Sequence, residues 1–529
     1  MKSIYKTIVA SGILLLSLNS CKKSDLTLTP TNDVTADIVY ATPTGYKNSL
    51  VKLYATYALT SPSGSDASDI GGLDAGFADF FRLFWTSQEL TTDEAICAWG
   101  DTGIPELDQS TWSVDNQFLR GLYSKSILQI TLANEFLRES TPEKLASRNI
   151  TGADATAIAK YRAEARFLRA FQYWVLMDGF GNPPFVTEND LIGKTAPKQI
   201  TRAALFNYVE SELKAIETEL PAPHGNDYGR ADQGADWALL ARLYLNAQVY
   251  TGTAKNTEAI TYSSKVINGG YSLKSNYADL FNLDNTVNNN EAILTINYDG
   301  NKGTNFGGTT FLINAGISGD MNPASFGVPN GGWLGNRTRQ NLPALFPDTK
   351  GTLDKRGIFF GNKATVDAIG TFTDGLAVTK FKNVNAAGVA ATSLNGTFSS
   401  LDFPLFRLAE QYLIYGEAVA RGGSGGSAAQ ALTYVNALRT RAYGNTSGNL
   451  TAAALTTDFY LNERGRELYW EAHRRTDLVR FGKFTDATYL WPFKGGTKAG
   501  AAIPTYRNLY PIPAADMIAN PNLVQNTGY

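Results

Sequence analysis

Large apolar residues recur at steps of three and four through most of this chain, and that spacing commits it to helices that bury one face. The segments "TGYKNSLVKLYATYAL", "NQFLRGLYSKSILQITLANEFLRES" and "DATAIAKYRAEARFLRAFQYWVLMDGFG" all carry it, the last with Tyr161, Ala165, Leu168 and Tyr173 among its inward candidates. Gly179, Gly181 and the Asn182-Pro183-Pro184 run stop that helix, since glycine and proline end helices. "TRAALFNYVESELKAIETEL" follows, with Thr201 placed to cap its N-terminus and Pro221 closing it.

Two further segments read as helix pairs. "ADQGADWALLARLYLNAQVYTG" with "NTEAITYSSKVINGG" has small residues, Ala238, Ala241 and Ala247, at contact spacing, and "FPLFRLAEQYLIYGEAVARGG" with "GSAAQALTYVNALRTRAYG" repeats the design. Such units resemble tetratricopeptide repeats. Between them, from about 271 to 401, the helical period weakens and Gly, Asn and Pro take over around short apolar runs such as "EAILTINYDG" and "TTFLINAG". The expected fold is mostly all-α: a tetratricopeptide-like helical scaffold carrying an irregular, loop-rich lobe. Loops on a rigid scaffold are where function concentrates.

The N-terminus reads as a secretory signal, with Lys2 and Lys6 ahead of an apolar stretch from Ile8 to Leu18 and a small residue before Cys21. A bilayer span needs about 20 apolar residues, so this one is too short to cross. The pattern resembles a bacterial lipobox, in which Cys21 becomes the lipidated first residue and anchors the protein without spanning the membrane. The expected organisation is a signal peptide over 1–20, a Thr/Pro-rich tether over 21–40, and a single domain over 41–529. Cys97 is the other cysteine, so the exported body folds without disulfides and depends on core burial. A formal charge of -2 and a pI near 5.9 give no general attraction to phosphate backbones, which argues against nucleic acid as a partner. Aromatics make up 12% of residues, and rings set among Gly and Asn suit sugars, whose C–H faces stack while their hydroxyls meet amides.

Most catalytic signatures are missing. The histidines, His224 and His473, stand in unrelated contexts, and there is no HExxH, CxxC or Gly-x-Ser-x-Gly motif. "GGSGGS" at Gly422 to Ser427 lies between helices and reads as a turn rather than a phosphate cradle. Glycoside hydrolysis needs only two carboxylates about 5–10 Å apart, and Glu463, Glu467 and Glu471 share a helical face in "NERGRELYWEAHRRTDLVRFGKF". Arg464, Arg466, Arg474, Arg475 and Arg480 crowd the same stretch, and guanidinium neighbours lower carboxyl pKa values. That favours an ion-pair network over a general acid, with Leu468, Tyr469, Trp470, Leu478 and Phe481 packing into the body.

That charged stretch and the ending "LYPIPAADMIANPNLVQNTGY" resemble the C-terminal signature of the SusD/RagB family of glycan-binding surface lipoproteins. The resemblance runs back through "FPLFRLAEQYLIYGEA", "GRADQGADWALLARLYLNAQVYTG", "AEARFLRAFQYWVLMDGFGNPPF" and "QELTTDEAICAWGDTGIPEL", covering nearly the whole mature chain. It implies a helical body with four tetratricopeptide-like pairs, outer-membrane anchoring at the cell surface, and delivery of glycan to a TonB-dependent (SusC-like) transporter, without catalysis. By likeness to the family's starch-binding founding member, the glycan would lie along three rings: Trp99 of "CAWGD", Phe306 of "NFGG" and Trp333 of "NGGWLGN". Asp74 and Arg82 are implied as polar partners.

Two departures stand out. Phe306 replaces a tyrosine and loses its hydroxyl, and near Trp99 the chain is one residue shorter, leaving Asp101 or Thr102 where the family has a sugar-binding asparagine. Cys97 also stands in place of a second tryptophan. The family's calcium site is poorly matched around Asp284, so no metal or cofactor is expected. A glycoside hydrolase and a ligand-free helical adaptor are the alternative readings.

Overall fold

The computed structural model describes residues 35–190, 193, 196–317 and 320–529; Cys21, the signal segment and most of the expected tether lie outside them. The periodic segments form helices α1 (Pro43–Ala58), α2 (Phe80–Trp85), α3 (Gln117–Glu139), α4 (Gly152–Phe180), α5 (Arg202–Ile216), α6 (Gln233–Leu245) and α7 (Asn256–Ile267). After the lobe's own helix α8 (Gly308–Gly316) come α9 (Leu408–Ala420), α10 (Ala428–Tyr443), α11 (Thr457–Leu468) and α12 (Arg474–Arg480). Side-chain caps begin many of them. Thr201 accepts from the Ala204 N–H, as its position predicts, and Asn116 accepts from Phe118 and Leu119.

Helix α4 is the spine. From Ala163 to Phe180 almost every residue is buried, because α1, α3 and α5 pack around it. Both expected pairs form, α6 with α7 and α9 with α10, and Ala238 and Ala241 are fully buried where small side chains let helices approach. Helix α7 also packs on α9, so the scaffold is continuous in space although residues 271–401 interrupt it in sequence. Gly422 and Gly425 take left-handed φ values of 83° and 84° in the turn before α10, whose Ser427 hydroxyl caps Gln430.

Among the described residues the strands form three short antiparallel pairs: β1 (Ala95–Cys97) with β3 (Asn336–Thr338), β2 (Ala292–Ile296) with β6 (Phe403–Arg407), and β4 (Phe359–Phe360) with β5 (Ala377–Val378). Two expectations need correction. Phe403–Arg407, read as the start of a helix, is strand: it pairs Phe403 with Ile296 and Arg407 with Ala292, and α9 begins only at Leu408. The body also starts before residue 41, because Ala36–Val39 is helical and the buried Tyr40 ring packs 5.0 Å from Tyr46 and 6.3 Å from Phe136.

The charged stretch is interior. Glu463 and Glu467 are fully buried. Arg356 of the lobe reaches Glu463 at 2.8 Å and Glu467 at 3.1 Å, while Arg407 meets Glu467 at 2.7 Å and Glu471 at 2.6 Å. Arg441 pairs with Glu291 and Glu467, and Lys380 of the lobe sits 2.6 Å from Glu471. Burial alone would raise the Glu467 carboxyl, but Arg441, Arg407 and Arg356 outweigh it and bring the group to about 2. Glu463 is held lower still, against the same burial, by Arg356, Arg466 and Arg439. These acids stay ionised and enclosed; they bolt the lobe to the helical body. Leu468, Tyr469, Trp470 and Leu478 are buried beside them, and Phe481 is half-buried beneath Arg421.

Candidate functional site

Arg82 and Trp99, which precede the lobe in sequence, meet Phe306 and Trp333 of the loop-rich lobe. Helix α2 starts the arrangement. Its N-cap Asp79 accepts from the Arg82 N–H at 2.7 Å, and the same carboxylate accepts from the Gly308 N–H at 2.9 Å and the Asn305 amide at 2.5 Å. One fully buried acid therefore fixes both α2 and the loop that carries Phe306. Burial raises the Asp79 carboxyl above its ordinary range even though these donors pull it down. Gly307 is required by close approach: a Cβ there would lie 2.0 Å from the Asp79 Cβ.

Arg82 is buried behind the rings. Its guanidinium lies 4.4 Å from the Phe311 ring centroid, 4.6 Å from Phe77 and 5.5 Å from Trp99, and Nη1 donates to the carbonyls of Gly76 and Phe306 at 2.6 and 3.4 Å. The cation thus ties Trp99 to the Phe306 loop by ring contact on one side and hydrogen bonding on the other. Burial pulls the group down to about 10, so it remains charged at neutral pH.

Trp99, Phe306 and Trp333 are each half-buried. Trp99 follows β1; its indole also meets Phe311 at 6.1 Å and backs onto Gly335, where φ is 123° and a Cβ would fall 2.3 Å from the indole nitrogen. Phe306 lies 6.3 Å from Trp333 with the ring planes 45° apart, and 5.0 Å from Phe398. The Trp333 N–H donates to the Asn314 carbonyl at 2.7 Å, tying that ring to the C-terminal end of α8. Asp74 is exposed and accepts from the Gly76 N–H at 2.8 Å, opening the turn that ends in Phe77. Asp101 and Thr102 are exposed just past Trp99, with Thr102 O accepting from the Gln117 amide.

Sequence reading missed the supports. Asp79, Asn305, Phe311, Phe398 and Gly335 place the rings without standing out in the chain; the adjacent glycines of "NFGG" and the cap position of Asp79 were the available signals. Cys97, where the founding member has a second tryptophan, is fully buried in β1 and burial drives its thiol pKa up. His473 is half-buried, and its pKa is driven well below the ordinary value by desolvation and then by Arg242 and Arg464. His224 packs against Tyr271 at 4.3 Å, away from the rings. The Asp284 carboxylate accepts from the Ala386 N–H at 3.1 Å, and among the described residues no group of three or more His, Cys, Asp or Glu is arranged to hold a metal ion. Among the same residues no helix is long and apolar enough to cross a membrane.

Residues 323–529 match the model of the SusD family. Over 90% of its length the chain is 36% identical to the starch-binding protein SusD of Bacteroides thetaiotaomicron, covering 91% of that protein. In structure it is similar to a SusD homolog from the same organism, with a TM-score of 0.74 at 19% identity over 94% of this chain and 99% of the other. It is also similar to surface glycan-binding protein A from that organism, solved in complex with laminarihexaose, with a TM-score of 0.69 at 19% identity over 91% and 98% of the two chains. With that identity sustained over nearly its full length, the chain belongs to the SusD family.

Proposed function

We propose that this protein captures a polysaccharide, an α-glucan such as starch, on the face formed by Trp99, Phe306 and Trp333, and hands it to a TonB-dependent outer-membrane transporter. The observation that carries the reading is that Arg82 joins the half-buried Trp99 ring to the Phe306 backbone while the Phe306 ring meets Trp333, in a chain 36% identical to a starch-binding relative. The 45° between the Phe306 and Trp333 planes suits a ligand that curves, as an α-1,4-linked chain does, better than a flat one. Asp74, Asp101 and Thr102 supply polar groups to the hydroxyls, while Arg82 holds the rings from behind. Lipid on Cys21 anchors the protein to the outer membrane at the cell surface. The protein acts by binding and not by catalysis, since Glu463, Glu467 and Glu471 are sealed among guanidinium groups.

The magnitudes fit capture followed by release. Stacking one sugar face removes about 60–80 Å² of apolar surface from water, which contributes roughly 1.5–2 kcal/mol per ring at about 25 cal/mol per Å². Three rings supply roughly 4.5–6 kcal/mol, on the order of 0.05–0.5 mM, and the cost of ordering the ligand moves this toward millimolar. Electrophoresis through amylopectin tests the reading: the wild type should be retarded and the Trp99→Ala/Trp333→Ala variant should run freely. Free migration of the wild type, or shortened products from maltoheptaose, would overturn it.

A further inference from the structure

A cavity of about 450 Å³ opens on the lobe beyond the rings, a size typical of ligand sites. One wall is the end of α8 at Ala315 to Ile317, another is Leu334 to Arg337, and β4 with the turn before β5 closes it. The second wall is the chain that carries the ring row. Trp333 is followed by Leu334, held at a left-handed φ of 57°, and then by Gly335, against which Trp99 packs. A leucine adopts that conformation only where its surroundings impose it, and such positions gather at functional sites. A single residue of backbone thus separates the Trp99 indole from the cavity.

The lining chemistry selects among ligands. Its cations are already engaged: Arg337 donates to the carbonyls of Gly335, Ile369, Thr371 and Asp374, Lys363 pairs with Asp367 and Asp374, and Lys350 donates to the Gly361 carbonyl. The lining also holds the exposed Asp320 carboxylate, the half-buried Phe360 ring, the Phe372 ring at 39% exposure, and the exposed amide of Asn362 and hydroxyl of Thr373. In the same wall Asn336 is 1% exposed, and among the described residues its amide nitrogen and oxygen have no partner. Rings with amides and a hydroxyl suit an uncharged sugar; an anion would need cations free to meet it.

We propose that this cavity is a further saccharide subsite, taking a neutral pyranose unit from the end of a glycan chain that lies along Phe306 and Trp333. The inference rests on the glycan-binding reading above. Calorimetric titration tests it, with the tri- and longer oligosaccharides of two series, maltotriose with maltoheptaose and laminaritriose with laminarihexaose. The proteins compared are the wild type and Phe372→Ala/Asn362→Ala, both of whose altered side chains are exposed, with melting curves recorded for each. For the series the wild type binds, the variant should weaken the longer oligosaccharide about tenfold, one ring's worth of stacking, and leave the trisaccharide within about twofold. Raising the salt from about 0.05 to 0.5 M should leave both affinities unchanged, as screening acts on charged ligands. Unaltered binding of the longer oligosaccharide by a variant that melts with the wild type would overturn the subsite alone, as would equal weakening at both lengths. A wild type that binds neither series removes the glycan reading and the subsite with it.

Discussion

The segment Asn462–Phe484 and the face around Trp99 are opposites in charge and in use. The first holds acids and bases at helical spacing, yet its carboxylates are enclosed and every one meets at least one cation. The second sets half-buried rings beside the exposed Asp74 and Asp101, with Arg82 and Asp79 buried behind them. Charge density in a sequence therefore marks either chemistry or architecture, and burial decides which. An ionised group taken out of water must be paired or it is costly, so a buried network this dense is nearly saturated and has little left to offer a ligand. Rings left partly in water among Gly and Asn retain surface to give.

This contrast can be broken from either side. The largest effect should come from Glu467→Ala, which leaves Arg356, Arg407 and Arg441 facing one another around a lost carboxylate; breaking such a buried pair costs about 3–5 kcal/mol. Glu467→Gln should also impair folding before it impairs sugar binding. A stable, well-expressed Glu467→Gln that has lost glycan binding would place chemistry in the network after all.

Acid should act on the same region. The Glu467 carboxyl lies at about 2 in the folded protein, below its ordinary value near 4.3 in the unfolded chain. Its contribution is therefore complete above about pH 4.3 and is lost as pH falls through about 2. Melting temperatures recorded between pH 6 and pH 2 should decline steeply only in the lower part of that range. A decline confined to pH 5–6 would contradict the ion-pair account.

On the other face, Trp99→Ala and Trp333→Ala should each weaken maltoheptaose binding about 10- to 30-fold, and Trp99→Ala should also lower the melting temperature, because its ring packs on Arg82, Phe311 and Gly335. The smallest effect is a gain: Phe306→Tyr restores the hydroxyl that the family's tyrosine carries, and one added hydrogen bond of about 0.5–1.5 kcal/mol should tighten binding by two- to tenfold.

Much of the body was legible because its signals are local. The three-and-four spacing, the Thr201 cap and the small residues of α6 each act within a few residues of one another, and all appear in the structure. Phe403–Arg407 was misread as helix because its strand partner, Ala292–Ile296, lies more than a hundred residues away. The tether boundary was missed for a related reason: Phe136 and Arg148, both distant in sequence, close over Tyr40 together with Tyr46. At the site, the rings were reached through the likeness to the SusD/RagB family, with the neighbouring glycines and, at Phe306 and Trp333, asparagines in support. Their supports were not, since Asp79 reaches Gly308 across 229 positions and Arg82 reaches the Phe306 carbonyl across 224. The cavity beyond Gly335 is likewise assembled from separate segments between Ala315 and Ala377, most of which carry no motif, and the "NGGWLGN" run that supplies Leu334 to Asn336 stands out for its tryptophan and not for a cavity.

The most direct test of the central claim is a crystal structure of the protein soaked with maltoheptaose. The account predicts sugar rings stacked on Trp99, Phe306 and Trp333, with the Asn462–Phe484 network unchanged and free of ligand. Sugar bound elsewhere, with those three rings bare, would contradict it.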